Sequence, residues 1–379
     1  VVAVVSAALP FAPATCPRLI VKVGSSLLVD ADGAVRRDWL ESLVDDLAVR
    51  HAAGQRPIIV SSGAIALGAR RLALAKGGRA SLEDAQAAAA VGQIALSQVW
   101  AELLAARGLA AAQMLVTLDD LEDRRRYLNA SATLDRLVSL GTVPIINEND
   151  SVATAEIRFG DNDRLAARVA QAAGAQGVIL LSDVDGLFDA NPHSNAGARL
   201  IARVETIDAT ILAMAGGAGE SGMGSGGMTS KLQAARIASG AGIALAIASG
   251  KRAHPLSAFD GDGRGTLFVP AGPASARKGW LSGRLTARGR IHVDAGAVAA
   301  LKSGKSLLAA GAVSIEGRFD RGDVIDIVSP EGVTVARGLS EYPAGEASFI
   351  AGKRSDALAA LLGYAPRSAL VHRDHMVLL

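Results

Sequence analysis

The sequence predicts an α/β protein: an α/β/α sandwich around a mostly parallel central sheet, followed by a small C-terminal β-rich domain. Two observations carry this expectation. From Leu19 to about Ser249, short apolar or β-branched runs alternate with longer helical periodicities, the pattern of a parallel sheet covered on both faces. After Val269 the runs become shorter and are separated by glycine-rich turns, which reads as a separate β unit. A chain of 379 residues has room for two domains and for a core that needs no covalent staples.

Residues 1–17 are apolar, contain Pro10, Pro13 and Pro17, and carry no Lys or Arg. They lack the charged start of a secretory signal and are expected to form a disordered extension. Strands are expected at 19–23, 58–60, 114–116, 143–146, 178–181 and 243–247. Between the first two, Leu40, Leu43, Val44 and Leu47 share one helix face, and Gly54 ends the helix. Segment 82–107 is an Ala-rich helix with Val91, Ile94, Val99 and Leu103 expected inward. The composition of residues 270–274 marks a linker. The expected domains are 18–270 and 288–379, joined by a linker over 271–287. In the second, strands are expected at 290–293, 314–316, 324–328 and 333–335, with one helix near 295–302.

Composition narrows the function. With 39 basic and 37 acidic residues the net charge is +2, so no overall field attracts nucleic acid. The single cysteine, Cys16, excludes an internal disulfide framework and a thiolate zinc cluster. No uninterrupted apolar run approaches the ~20 residues of a membrane span. The 42 glycines are clustered, which points to loops that cradle anions.

Ligands of parallel sheets bind at the carboxyl ends of the strands, and the polar clusters fall there. Lys22 closes an apolar run and is followed by Gly24, Ser25 and Ser26, an ammonium beside turn N–H groups. Ser61, Ser62 and Gly63 precede a helix, as a carboxylate seat or as simple capping. Asn147, Glu148, Asn149 and Asp150 follow the fourth strand, and Gly160, Asp161, Asn162 and Asp163 come shortly after. Such clusters make turns, but two together also suit orienting lysines and holding a substrate ammonium. Ser182 and Asp183 follow the fifth strand. A glycine-rich run, 222–227, leads into a helix that carries Lys231. Residues 222, 224 and 227 spell G-x-G-x-x-G, yet no strand precedes them, so they are not a dinucleotide fingerprint. Gly304-Lys305-Ser306 lacks the earlier glycine of a Walker loop. Two lysines, anion loops and carboxyl–amide clusters suit phosphoryl transfer, which needs positioning and charge neutralisation. No histidine is expected near a strand end. That favours a carboxylate acceptor, already ionised at neutral pH and needing no general base.

Residues 21–26, 59–65, 145–150, 159–163 and 226–231 resemble the motifs of the amino acid kinase family. Residues 317–323 and 336–340 resemble a PUA domain. The resemblance runs from about Leu19 to His375 and is strongest to the branch that phosphorylates the γ-carboxylate of L-glutamate at the head of proline biosynthesis. It implies ATP with Mg²⁺ on its phosphates and no metal held directly by protein. Lys22 and Lys231 would neutralise phosphate oxygens, and Asp163 would orient both. Ser62, Gly63, Asn147, Asp150, Asp161 and Asn162 would bind glutamate. Lys22, Gly24, Ser25, Ser182, Asp183, Ser225, Gly226, Gly227, Met228, Thr229, Ser230 and Lys231 would bind the nucleotide. It also implies glutamate-5-semialdehyde dehydrogenase as consumer of the acyl phosphate, feedback by proline, a homo-oligomer and a cytoplasmic setting. The alternatives are a sister kinase acting on N-acetylglutamate, aspartate, carbamate or UMP, or an RNA-binding PUA protein.

Overall fold

A computed structural model describes residues 9–30, 32–152, 162–192, 194–195, 197–215, 227–270, 272 and 287–379, apart from the side chains at positions 9 and 124. The chain divides into two compact units. One holds Val1–Leu121 and Ala130–Ala271, the other Glu122–Asn129 and Gly272–Leu379.

In chain order the first unit contains β1 (Arg18–Val23), α1 (Ser25–Leu28), α2 (Arg37–Ala52), β2 (Arg56–Ser61), α3 (Ala64–Arg71), α4 (Leu82–Ala105) and β3 (Ala111–Val116). Helices α5 (Leu118–Glu122) and α6 (Arg124–Ser139) lead to β4 (Val143–Glu148), α7 (Asn162–Ala172), β5 (Gly177–Ser182), β6 (Arg203–Val204) and α8 (Ala209–Ala213). Then come α9 (Met228–Gly240), β7 (Ala244–Ser249), α10 (Pro255–Asp262) and β8 (Gly265–Phe268). The sheet order is β3-β4-β2-β1-β5-β7-β8-β6. Every pair is parallel except β7 with β8. All six anticipated strands are present. The two missed, β6 and β8, are short and lie at one edge.

Alternation along the strands decides which helix meets which residue. Leu19, Val21 and Val23 of β1 join one core with Leu40, Leu43 and Leu47 of α2, Trp100 of α4 and Phe259 of α10. Ile20 and Lys22 therefore face the other side. There α7 packs on β1, β5 and α9, and α9 packs on β7.

Three expectations need correction. Residues 9–17 are not a disordered tail. Phe11 and Cys16 are fully buried, and Gln55 Nε2 donates to the carbonyls of Phe11 (3.0 Å) and Cys16 (2.6 Å). Gly177 makes room for them: a Cβ there would stand 2.6 Å from the Phe11 ring. In α4, Ile94 points outward at 69% exposure, while Leu103 is buried as expected. Toward α3 the inward face of α4 is made of Ala85, Ala88, Ala89 and Gly92, while Leu96, Trp100, Leu103 and Leu104 join the main core. Small residues win that face because α3 and α4 touch backbone to backbone: a Cβ on Gly68 would lie 1.8 Å from the Ala88 carbonyl oxygen, and one on Gly92 1.8 Å from that of Ala64. Finally, α4 is long and apolar enough by length and composition to cross a membrane, although no unbroken apolar run announces it. Here it is a packed core helix.

The second unit holds β9 (Gly289–Val293), α11 (Ala295–Lys302), β10 (Ala312–Gly317), β11 (Val324–Val328), β12 (Thr334–Leu339), α12 (Ala344–Ile350), α13 (Leu358–Leu362) and β13 (Met376–Leu378). Its sheet order is β10-β9-β11-β12-β13, with only β9–β11 parallel. Ile291, Ile325, Ile327, Ala336, Tyr342 and Leu370 form its own core. The expected linker lies outside the described residues except for 272 and 287.

Candidate active site

Lys22 comes last but one in β1, on the face covered by α7 and α9. Asp163 sits in the first turn of α7, where a carboxylate is favoured by the exposed N–H groups. Lys231 sits in the first turn of α9, which Gly227 opens in extended conformation. The three meet. Lys22 Nζ lies 2.6 Å from Asp163 Oδ1, and Lys231 Nζ donates to Asp163 Oδ2 at 3.0 Å. All are buried, Asp163 to 1% exposure. Burial by itself would raise the Asp163 carboxyl. The two ammoniums and their hydrogen bonds outweigh it and hold the carboxyl below the usual aspartate range. The result is one anion between two cations, a net positive centre at the carboxyl edge of the sheet.

A second cluster adjoins it through Asn162, the residue before Asp163. Asn162 Nδ2 donates to Ser62 Oγ (2.7 Å) and to Asn147 Oδ1 (3.2 Å). Asn147 Nδ2 donates in turn to Gln93 Oε1 at 2.8 Å. The Glu148 backbone N–H donates to Asn147 Oδ1 at 2.9 Å. Ser62 follows β2 and is tied to β1 by its N–H to the Val23 carbonyl at 3.2 Å. Gly63 then turns the chain into α3 with φ +105°, a left-handed conformation that L side chains resist. Asp150 is half-buried past the end of β4. Desolvation pushes its carboxyl up to about 6, against the pull of Arg79.

On the other side of β1, Ser182 ends β5 and donates to Asp183 Oδ1 at 3.1 Å. Gly250 N–H holds the Ser182 carbonyl at 2.7 Å. Gly24 lies close to Lys22: a Cβ there would be 3.9 Å from Nζ. Ser25 opens α1, and Met228, Thr229 and Ser230 form the first turn of α9 with Lys231. Asp161, Ser225 and Gly226 lie outside the described residues.

One histidine does follow a strand end. His254 comes after β7, but its Nδ1 faces Asp46 Oδ1 at 3.3 Å and its N–H donates to Ser42 Oγ. Asp46 also accepts from Leu256 N–H and Ser257, so this group caps α10. Sequence reading missed Gln93, which carries no signal beyond being a polar residue in an Ala-rich helix. It also missed Thr266, buried in β8, whose Oγ1 accepts from Leu187 N–H at 2.7 Å and pins the loop after Asp183.

Comparison with known proteins places these observations. The model of the amino acid kinase family matches residues 17–249, and that of the PUA domain residues 289–362. A glutamate 5-kinase from Sphingopyxis alaskensis is 70% identical over 369 residues, covering 97% of this chain and 99% of that protein. Those from Zymomonas mobilis and Novosphingobium aromaticivorans are each 63% identical, over 97% and 96% of this chain and 93% and 97% of theirs.

Proposed function

The chain belongs to the amino acid kinase family and, within it, to the glutamate 5-kinases, and from that premise we propose how its own residues perform the transfer. The enzyme uses ATP to phosphorylate the γ-carboxylate of L-glutamate, giving L-glutamyl 5-phosphate, the first step of proline biosynthesis. The observation that carries the residue roles is the buried pair of lysines bridged by Asp163.

The acceptor, with a reference pKa of about 4.3, is already anionic, so no base has to remove a proton. The barrier lies in bringing a carboxylate against a phosphate. Lys22 and Lys231 offset that repulsion and the charge that develops on the transferred group. Asp163 keeps both ammoniums converged. Ser62, Gly63, Asn147, Asp150 and Asn162, with Asp161, form the glutamate seat. Gly24, Ser25, Ser182, Asp183 and the 225–231 segment form the nucleotide seat. Mg²⁺ in this reading is carried by the ATP phosphates, while Asp163 is paired with the two lysines.

The product is a labile acyl phosphate, so a reductase such as glutamate-5-semialdehyde dehydrogenase must consume it promptly. Proline feedback, a homo-oligomer and a cytoplasmic setting belong to the same reading, as does the division into a kinase domain, 18–270, and a PUA domain, 288–379. The test is ADP release with Mg-ATP and each of L-glutamate, L-aspartate, N-acetyl-L-glutamate and UMP. Release with L-glutamate alone is expected. A preference for another acceptor would overturn the substrate while leaving the family in place.

A further inference from the structure

The chain Gln93–Asn147–Asn162–Ser62 has a direction, and one backbone group sets it. The Glu148 N–H can only donate, and it donates to Asn147 Oδ1. Asn147 must therefore turn Nδ2 the other way, where Gln93 Oε1 accepts it. The Asn162 atom that faces Asn147 Oδ1 must be a donor, so Nδ2 stands there and is shared with Ser62 Oγ. Two consequences reach the substrate. Ser62 accepts from Asn162 and keeps its own O–H to donate. Asn162 Oδ1 is turned away from the chain, is buried, and has no hydrogen-bond partner among the described residues, although Asn162 is only 5% exposed. A buried acceptor in that state calls for a ligand that brings a donor. L-glutamate has one donor group, its α-ammonium; both carboxylates only accept.

We infer that Gln93 is a positioning residue for the glutamate α-ammonium, acting through Asn147 and Asn162 without touching the substrate. The inference rests on glutamate being the substrate. Gln93 is 9% exposed on α4 and follows Gly92, the residue that lets α4 approach α3. Its oxygen is the acceptor that satisfies Asn147 Nδ2. Without it, that buried donor seeks another partner, Asn147 swings, and Asn162 loses the contact that aims its carbonyl.

The experiment compares wild type, Gln93→Met and Gln93→Glu, each also in an Asn162→Ala background, by KM for glutamate, KM for ATP, kcat and melting temperature. Methionine fills the volume and removes the acceptor; glutamate keeps an acceptor oxygen. Gln93→Met is expected to raise the KM for glutamate about tenfold with the KM for ATP within about twofold. Gln93→Glu is expected to stay within about threefold of wild type. Adding Gln93→Met to Asn162→Ala is expected to change the KM for glutamate less than about twofold, since both act on one contact. Equal rises in both KM values, additive losses in the double variant, or a Gln93→Glu enzyme as impaired as Gln93→Met would overturn the inference. Should Gln93→Met not fold, Gln93→Glu decides alone: a tenfold rise in its KM for glutamate contradicts the proposed role. A wild type inactive on glutamate would overturn the substrate assignment itself, a result visible before any variant is compared.

Discussion

Replacing Asp163 by Asn deletes one charge and almost no volume, and its consequences can be worked from three distances. The carboxylate is 1% exposed, with Lys22 Nζ at 2.6 Å and Lys231 Nζ at 3.0 Å. At an effective dielectric of ~20 each contact carries roughly 6 kcal/mol of Coulomb attraction. Desolvation offsets most of that. Removing one partner from a buried set of this kind still costs about 3–5 kcal/mol, because the remaining charges lose their compensation. For a unit of this size the melting temperature should fall by about 10 °C. The kcat should fall by about 10²–10³-fold, because the ammoniums no longer converge where charge develops. Scanning calorimetry and glutamate-dependent ADP release read the two effects. The double variant Asp163→Asn with Lys231→Met separates them: removing the second ammonium should restore much of the stability and none of the kcat. The stability difference also has a pH signature. The Asp163 carboxyl is held below its ordinary value, so its contribution is whole above about pH 3.9 and is lost as pH falls through the lower folded value. Wild type and Asp163→Asn should therefore converge in stability only in strong acid. An Asp163→Asn protein that melts with the wild type and keeps its kcat would refute the reasoning.

Lys231→Ala should lower kcat by about 10²–10³-fold with a much smaller loss of stability, since Asp163 keeps Lys22; steady-state kinetics beside a melting curve checks this, and an unchanged kcat would remove Lys231 from the centre. Asp150 must be ionised to hold an ammonium and titrates near 6, so the apparent affinity for glutamate should drop as pH falls through that value. Asp150→Asn should bind glutamate more weakly at neutral pH and show a flat profile; a profile that still bends near pH 6 would assign the titration elsewhere. Gly92→Ala should destabilise the first unit by about 1–3 kcal/mol in urea titration, because its Cβ would fall 1.8 Å from a backbone oxygen; an unchanged midpoint would mean that α3 and α4 are not in such close contact.

What the sequence made legible follows from where its chemistry sits. Lys22, Ser62, Asn147, Asp150 and Ser182 lie at or just past the ends of strands that their apolar runs already announce, and Asp163 and Lys231 open helices. Strand alternation even explains why Lys22 meets α7 and α9 and not the α2 side. Other features were hidden for physical reasons. The inward face of α4 could not be read by hydrophobicity, because backbone contact with α3 selects Gly and Ala and turns Ile94 out. Gln93 was invisible because one polar residue in an Ala-rich helix carries no signal of its own. The order of strands, and with it the meeting of Asn162 with Ser62 and Asn147, depends on crossovers that leave no local trace. Helices α12 and α13 of the second unit, with seven and five residues, are too short for a periodicity to emerge. Phe11 and Cys16 lie in a proline-rich stretch whose burial depends on the space above Gly177.

The most direct measurement is ADP release with Mg-ATP and L-glutamate in the presence of hydroxylamine, which traps acyl phosphates as hydroxamates, run on wild type and Lys231→Ala together. The account predicts one γ-glutamyl hydroxamate per ADP in the wild type and near loss of both in the variant. ADP released without hydroxamate, or hydroxamate formed equally well by Lys231→Ala, would contradict a carboxyl phosphorylation driven by the two buried lysines.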